Sequence, residues 1–143
     1  MTAIISPSRA VSLVKATTFD FFNERNDTIR RSLIQEHWRP DITCHTPFGD
    51  FKGYEAMGEL WKALHADEKS EWIFKPRGDL WLNGDVIMQS WTYGNADGMP
   101  GMTGWDVIIL DGDGLVKELY AMIEGVHTHE FALFLCVVPF VKL

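Results

Sequence analysis

The stretch GWDVIILDGDGLVKELYAMIEG, residues 104–125, decides the fold of this chain. Apolar and polar residues mix on both sides of a central Asp-Gly-Asp-Gly cluster, and such a cluster between two apolar runs is typical of a turn. The pattern therefore predicts a hairpin, with one strand over residues 102–110 and a second over residues 116–124.

Three more strands are predicted on the N-terminal side of this hairpin. They cover residues 71–75, 80–82 and 86–93, and they are separated by Pro76-Arg77-Gly78, by Asn83-Gly84 and by a glycine-rich segment over residues 94–101. Such residues favour tight turns between neighbouring strands. We expect these strands to form consecutive antiparallel hairpins.

The first half of the chain is predicted to be mostly helical. The spacing of apolar residues predicts helices from Pro7 to Asn23, from Asp27 to a point before Pro40, and after Gly53 through Met57, Leu60, Trp61 and Leu64. A strand over residues 41–46 and a turn at Pro47-Phe48-Gly49-Asp50 separate the last two helices. Helices that precede a meander of strands indicate an α+β fold, with the helices on one face of the sheet.

Composition restricts the class of protein and its partners. The 143 residues suit a single domain over residues 1–143. Acidic residues outnumber basic ones by 20 to 13, which argues against nucleic-acid and anionic-membrane partners. Cys44 and Cys136 have neither the spacing of metal ligands nor that of a redox pair, so we expect a reduced, cytoplasmic setting.

The C-terminal segment from about residue 126 is unusually apolar. FALFLCVVPFV, residues 131–141, is too short to span a bilayer and fits a strand, a helical turn over a pocket mouth, or a segment buried against a partner. No secretory signal pattern is present at the N-terminus. His127 and His129 lack an obvious third partner, and Met122 stands where a calcium loop needs its glutamate, so we expect no bound metal.

The order of the predicted elements resembles a known architecture. Helix, helix, strand and helix, followed by a meander, resemble the cone-shaped fold of the nuclear transport factor 2-like superfamily, which includes ketosteroid isomerases, scytalone dehydratases, limonene epoxide hydrolases and SnoaL-type polyketide cyclases. The resemblance covers approximately residues 11–124 and is most specific over residues 104–125, while residues 37–57 resemble the helix-to-strand-to-helix passage of these proteins. It implies three N-terminal helices on a curved, mainly antiparallel sheet that encloses an apolar pocket, and it implies a homodimer.

The resemblance also implies which residues face the pocket. Asp106 matches the carboxylic acid in the oxyanion hole of ketosteroid isomerases. Thr46 stands where their aspartate base would be, and Phe19 lies near the position of their hydroxyl-donating tyrosine. On the last strand, Leu119 and Ile123 are among the apolar residues that replace the acids of the epoxide hydrolases and cyclases. Asp106 is therefore the one matched carboxyl.

Two readings remain open for each polar candidate. An inward Asp106 would have a raised pKa and act as an acid, or it would accept a tryptophan or backbone N–H within a structural core. His45 is a possible base at the pocket rim or a residue of the outer face, because Thr46 beside it points the other way. Arg39, at the expected end of the second helix, could reach over the pocket mouth or compensate the charge of the helix terminus.

The functional prediction combines this carboxyl with apolar walls. Asp106, Arg39 and His45 are the catalytic candidates, and the substrate-binding candidates are Phe19, Phe22, Trp38, Thr46, Met57, Trp61, Met88, Leu119 and Ile123. We expect a cofactor-free isomerase or cyclase, or else a dehydratase, that acts on a small hydrophobic polycyclic metabolite of a polyketide, terpenoid or alkaloid pathway. The alternative is a non-catalytic ligand-binding or dimerisation module, because a fold alone does not select chemistry.

Overall fold

A computed structural model describes residues 4–125 as helices packed on one face of a curved, mixed sheet of seven strands. The helical segments are α1 (Pro7–Val14), a π-helical segment (Lys15–Asp20), α2 (Phe21–Asn23), α3 (Asp27–Gln35), α4 (Gly53–Leu64) and a short 3-10 turn (Asp67–Lys69). The strands are β1 (Trp38–Thr46), β2 (Gly49–Lys52), β3 (Ile73–Pro76), β4 (Trp81–Asn83), β5 (Val86–Gly94), β6 (Pro100–Leu110) and β7 (Val116–Ile123). The predicted α+β class is confirmed.

The first predicted helix exists, but its middle is not α-helical. Ser6 caps its start by accepting a hydrogen bond from the Arg9 N–H at 3.1 Å. Between α1 and α2, the N–H of Phe21 donates to the carbonyl of Ala16, the longer spacing of a π-helix. The three segments run on without a break, and together with α3 and α4 they are the three predicted helices.

The strand order is β2-β1-β7-β6-β5-β3, and β4 also pairs with β5. All pairs are antiparallel except β1 with β7. The prediction of consecutive hairpins is wrong between β3 and β4, because both pair with successive parts of β5 instead of with each other. It is confirmed for β4 with β5, β5 with β6 and β6 with β7. Pro76 has no N–H to donate to a ladder, so the segment after it interrupts one edge strand rather than turning the chain back.

Two details near β1 differ from the sequence prediction. Pro47 and Phe48 form a two-residue loop between β1 and a short strand, β2, that was not expected. Arg39 was expected at the end of the second helix, but α3 ends at Gln35 and Arg39 lies on β1. Pro40 is tolerated within β1 because the pairing with β7 is irregular between Trp38 and Thr43.

The core lies between the helices and the inner face of the sheet. Among its fully buried side chains are Leu13 from α1, Ile42 from β1, Met57 from α4, Ile87 from β5 and Ile108 from β6. No described helix is both long enough and apolar enough to cross a membrane. The expectations about Cys136, the apolar tail, and His127 and His129 concern residues outside the described range.

Candidate ligand-binding cavity

A narrow apolar cavity lies between the inner face of the sheet and the helices. The volume of the cavity that water-sized molecules can occupy is about 50 Å³. Its walls are Thr18, Phe22, Cys44, Thr46, Phe48, Leu60, Leu64, Phe74, Trp91, Tyr93, Met102, Asp106, Leu119, Ala121 and Ile123. Most of these side chains are aliphatic or aromatic, so the few polar groups determine what chemistry the cavity supports.

Asp106 supplies the carboxyl group of this cavity. Alternation along β6 turns Asp106 inward together with Gly104 and Ile108 and leaves it 5% exposed. Its Oδ1 accepts a hydrogen bond from the Trp91 indole Nε1–H at 2.9 Å. Burial raises the pKa of Asp106 to about 7, although the Trp91 hydrogen bond opposes the rise. Asp106 is therefore present in both protonation states near neutral pH.

Thr18 brings a second polar group to the same wall. It lies in the π-helical segment, the residue is 1% exposed, and a contact from its hydroxyl to the Asp106 carboxyl acts to lower the pKa of Asp106. This contact lies at the limit of hydrogen-bond geometry. Cys44 lies nearby on β1, where burial and then the charge of Asp106 raise the pKa of its thiol. The thiol is therefore neutral.

A close backbone contact sets the position of Trp91. A Cβ atom placed on Gly104 would lie 2.3 Å from the carbonyl oxygen of Met122 and 2.7 Å from a ring carbon of Trp91. The absence of a side chain at Gly104 therefore leaves room for the indole against β6, from where its N–H reaches Asp106, two residues along the strand.

A buried polar cluster closes the other end of the cavity. The Tyr93 hydroxyl donates to the carbonyl of Leu64 and lies 3.1 Å from Nδ1 of His65, and Nε2 of His65 lies 2.6 Å from the carbonyl oxygen of Phe22. Burial lowers the pKa of His65 to about 4 and raises the pKa of Tyr93. Both groups are neutral at physiological pH and hold α2, α4 and β5 together.

The two other catalytic candidates lie outside the cavity. His45 is on the outer face of the sheet, with Nδ1 2.9 Å from Asp50 Oδ1, Nε2 2.9 Å from Glu118 Oε2, and its ring stacked on Tyr120 at 4.4 Å. Burial acts to lower the pKa of His45, but the bonds to the two carboxylates outweigh it and raise this pKa.

Arg39 forms an ion pair with Asp41 at 2.8 Å and lies 3.6 Å from Asp111. It therefore does not reach over the cavity, because the helix on which it was expected ends earlier in the chain.

The structure brings together some of the predicted wall residues. Phe22, Thr46, Leu119 and Ile123 line the cavity, whereas Phe19, Trp38, Met57, Trp61 and Met88 do not. Trp38 packs on Phe21 at 5.2 Å, and Trp61 packs under the Arg30 guanidinium at 3.8 Å, so both belong to the core among the helices. The Thr46 hydroxyl donates to the carbonyl of Gly49, which ties it to the β1–β2 turn.

Met88 lies on the opposite face of β5 from the one predicted. It was predicted to face inward, but it is 38% exposed, while Gln89, Trp91 and Tyr93 on the same strand are buried. Both faces of β5 carry apolar residues, so the period of two does not tell them apart in the sequence. The sequence analysis also missed Thr18 as a cavity residue. The one signal for it was its position next to Phe19, which was predicted to line the pocket.

The comparisons with solved structures agree on the fold. A proposed isomerase of the SnoaL-like family from Agrobacterium tumefaciens matches with a TM-score of 0.73 at 19% identity, covering 82% of this chain and 99% of that one. A proposed polyketide cyclase from Sinorhizobium meliloti matches with 0.58 at 20% identity, covering 77% and 93%. A SnoaL-like protein of unknown function from Burkholderia thailandensis matches with 0.65 at 18% identity, covering 85% and 99%.

Fold and cavity thus define a class: an α+β protein with a buried carboxyl group in an apolar cavity behind a curved sheet. The chain has the SnoaL-like, nuclear transport factor 2-like fold, as the resemblance implied. No protein-family model and no curated protein matches the sequence. These likenesses show the fold alone, because the identities are low and a fold does not fix a reaction.

Proposed function

We propose that this protein is a cofactor-free isomerase or cyclase, or else a dehydratase, with Asp106 as its acid–base residue. One observation carries the proposal: the Asp106 carboxyl lies buried in an apolar cavity, and its pKa is raised to about 7. Groups with pKa values near the working pH are the most effective proton donors and acceptors. The names of the SnoaL-like neighbours support a reaction of the same kind.

The chemistry follows from the two oxygens of the carboxyl. Oδ1 accepts the Trp91 hydrogen bond, which holds the group in place. In the protonated state Asp106 donates its proton or a hydrogen bond to a carbonyl or hydroxyl oxygen of the substrate, and charge on that oxygen is stabilised. The resulting carboxylate then takes a proton from the substrate, so that a single residue acts first as acid and then as base.

The size of the cavity constrains the substrate. One water molecule needs about 10–15 Å³ of such space, so a cavity of about 50 Å³ holds only a few groups of that size. A small ring or short chain with one polar atom suits it best. A polycyclic metabolite of a polyketide, terpenoid or alkaloid pathway, the class implied by the resemblance, fits only if the cavity widens. It remains a prediction, as do the homodimer and the cytoplasmic setting.

A second candidate function is small-molecule binding without turnover. It is favoured by the position of His45 and Arg39 outside the cavity, which leaves Asp106 as the one described wall residue with a pKa near neutrality. Many acid–base enzymes use two such groups. Under this alternative the carboxyl orients a ligand by hydrogen bonding and no bond changes.

The test is a screen of small cyclic ketones and unsaturated alcohols as substrates. NMR spectra of each mixture detect isomerisation, ring closure or loss of water. Asp106→Asn keeps an acceptor for Trp91 but cannot exchange a proton. We expect it to lower kcat for any converted compound at least about 100-fold. The matched control is Glu118→Gln, an acid changed to its amide on the outer face of β7, and it should change kcat less than about twofold.

The outcome separates the two functions. Equal turnover by the native protein and Asp106→Asn would remove Asp106 from the reaction. Compounds that bind but are not converted would favour the binding module. If Asp106 acts first as an acid, kcat/KM falls as the pH rises through about 7, because the protonated form is lost.

A further inference from the structure

The outer face of the sheet carries an exposed apolar patch. Of the eight large apolar side chains that are exposed in the described part of the chain, four lie here: Trp81 of β4, which is 69% exposed, Met88 of β5, and Tyr120 and Met122 of β7. The strand pairings place Trp81 opposite Met88, and Met122 opposite the half-buried Trp105 of β6. These five residues are called the outer patch below.

Polar groups border the outer patch on two sides. At one side Arg77 forms an ion pair with Glu124. At the other side His45 lies between the carboxylates of Asp50 and Glu118. These charged groups are paired with one another, so the apolar centre is what this face offers to another surface. An exposed apolar patch with a polar rim marks an interaction site.

The chain itself supplies an apolar segment next to this patch. The described residues end at Gly125, directly after Glu124 on the outer face, and residues 131–141 read FALFLCVVPFV without a single charge. Residues 126–130 can span about 17 Å, whereas β7 and β4 lie about 14 Å apart at the usual spacing between strands. The linking residues are therefore long enough to bring Phe131 to any part of the outer patch.

Charge favours this segment over a second copy of the protein as the occupant of the patch. Residues 126–143 contain one acidic residue, Glu130, and one basic residue, Lys142, so the formal charge of -7 belongs entirely to the rest of the chain. A second copy would bring charge of the same sign to this face, which opposes association. The segment adds no net charge and brings eleven uncharged residues.

We propose that residues 131–141 bind to the outer patch of their own chain and cover it. The leucine and phenylalanine side chains of the segment pack on Trp81, Met88 and Trp105, and the patch is then closed to other partners. Burial of apolar area on both sides drives this contact. The inference goes beyond the proposed function and does not depend on it, because the patch and the cavity lie on opposite faces of the sheet.

The test uses the native Cys136, near the middle of the segment, as a reporter. Cys44 does not interfere, because it is buried and the pKa of its thiol is raised. Three full-length variants each add one thiol: Met88→Cys and Trp81→Cys on the outer patch, and Ser32→Cys on the exposed side of α3 as the matched control. Disulfide formation with Cys136 under mild oxidation is followed over time by mass spectrometry. Each rate is divided by the rate at which iodoacetamide modifies the same engineered thiol when Cys136→Ser is also present.

We expect the disulfide within one chain to form at least about 10-fold faster from Met88→Cys and Trp81→Cys than from Ser32→Cys, because binding raises the effective concentration of Cys136 at the patch. These rates should not depend on the protein concentration. Phe134→Asp places a charge within the segment, and it should slow the disulfide with Met88→Cys at least about fivefold.

The other outcomes overturn the inference. Equal corrected rates for the three thiols would show that the segment is not held at the patch. Disulfides between two chains as the main product of Met88→Cys with Cys136→Ser would show that a second copy covers it. A faster disulfide from Leu64→Cys, on a wall residue of the cavity, would place the segment over the cavity mouth. None of these results bears on Asp106, so this inference and the proposed function fail separately.

Discussion

The two faces of the sheet treat carboxyl groups in opposite ways. On the inner face, Asp106 of β6 meets one indole N–H and apolar walls, and burial raises its pKa to about 7. On the outer face, Glu118 of the adjacent strand β7 is bonded to His45 and Tyr120, and these hydrogen bonds lower its pKa. Chemically similar groups on paired strands therefore differ in protonation because of their partners.

This difference also separates stability from function. The outer groups are paired with one another: His45 with two carboxylates, Arg39 with Asp41, and Arg77 with Glu124. The inner face keeps a buried carboxyl whose raised pKa opposes folding at neutral pH. A buried carboxyl with a strongly shifted pKa in an apolar cavity is a candidate for a functional group, because structure alone does not require it there.

The largest expected effect is the pH dependence of stability in Asp106→Asn. The folded pKa of Asp106 lies above its unfolded value of 3.8, so this group stabilises the fold below about pH 4 and loses that contribution as the pH rises through 7. Between pH 4 and pH 8 the free energy of unfolding of Asp106→Asn should rise relative to the native protein by up to roughly 4 kcal/mol. Urea unfolding at a series of pH values measures it.

Glu118→Gln is the matched control for this series, and its sign is opposite. The folded pKa of Glu118 is lowered, so its stabilising contribution is present at neutral pH and is lost as the pH falls below its ordinary value. The effect should be small, because the pair with His45 is partly exposed. If the free energy of unfolding changed with pH in the same way in both variants, the two faces of the sheet would not differ as described.

A smaller effect is expected from Gly104→Ala. The added methyl group collides with the Met122 carbonyl and the Trp91 ring, so β6 and β7 must shift or the indole must leave Asp106. We expect a loss of about 1–3 kcal/mol in the free energy of unfolding, and a shifted NMR signal of the Trp91 indole N–H. Gly112→Ala is the control, because its new Cβ would have no heavy atom within 4 Å apart from those of residue 112 and its two chain neighbours. Equal stabilities of the two variants would show that Gly104 does not set the position of Trp91.

The sequence predicted the part of the site that lies on long, regular strands. Alternation along β6 put Asp106 on one face with Gly104 and Ile108, and the resemblance implied that this face is the inner one. On β7, Leu119 and Ile123 face the cavity, with Tyr120 on the opposite face. In both strands, strong turn signals fix the ends, and the alternation therefore has only one reasonable phase. The fold class and the helix positions followed from the same clear periodicity.

The rest of the site depends on tertiary contacts that a single sequence does not encode locally. Trp38, Met57 and Trp61 suit a pocket wall by residue type, but helix packing assigns them to the core among the helices. The role of Gly104 depends on the neighbouring Trp91 across the strand pair. Thr18 faces the cavity because the helix widens there, and helical periodicity assumes a regular 3.6-residue turn.

The central claim is that the pKa of the Asp106 carboxyl lies near neutral pH. A titration of this group tests the claim most directly. The side-chain carboxyl carbon of Asp106 can be followed by ¹³C NMR from pH 3 to pH 9 in the native protein, with Asp106→Asn to assign its signal. The account predicts a midpoint of about 7. A midpoint at or below the ordinary value of 3.8 would contradict it, because Asp106 would then be a permanently charged structural acceptor for Trp91.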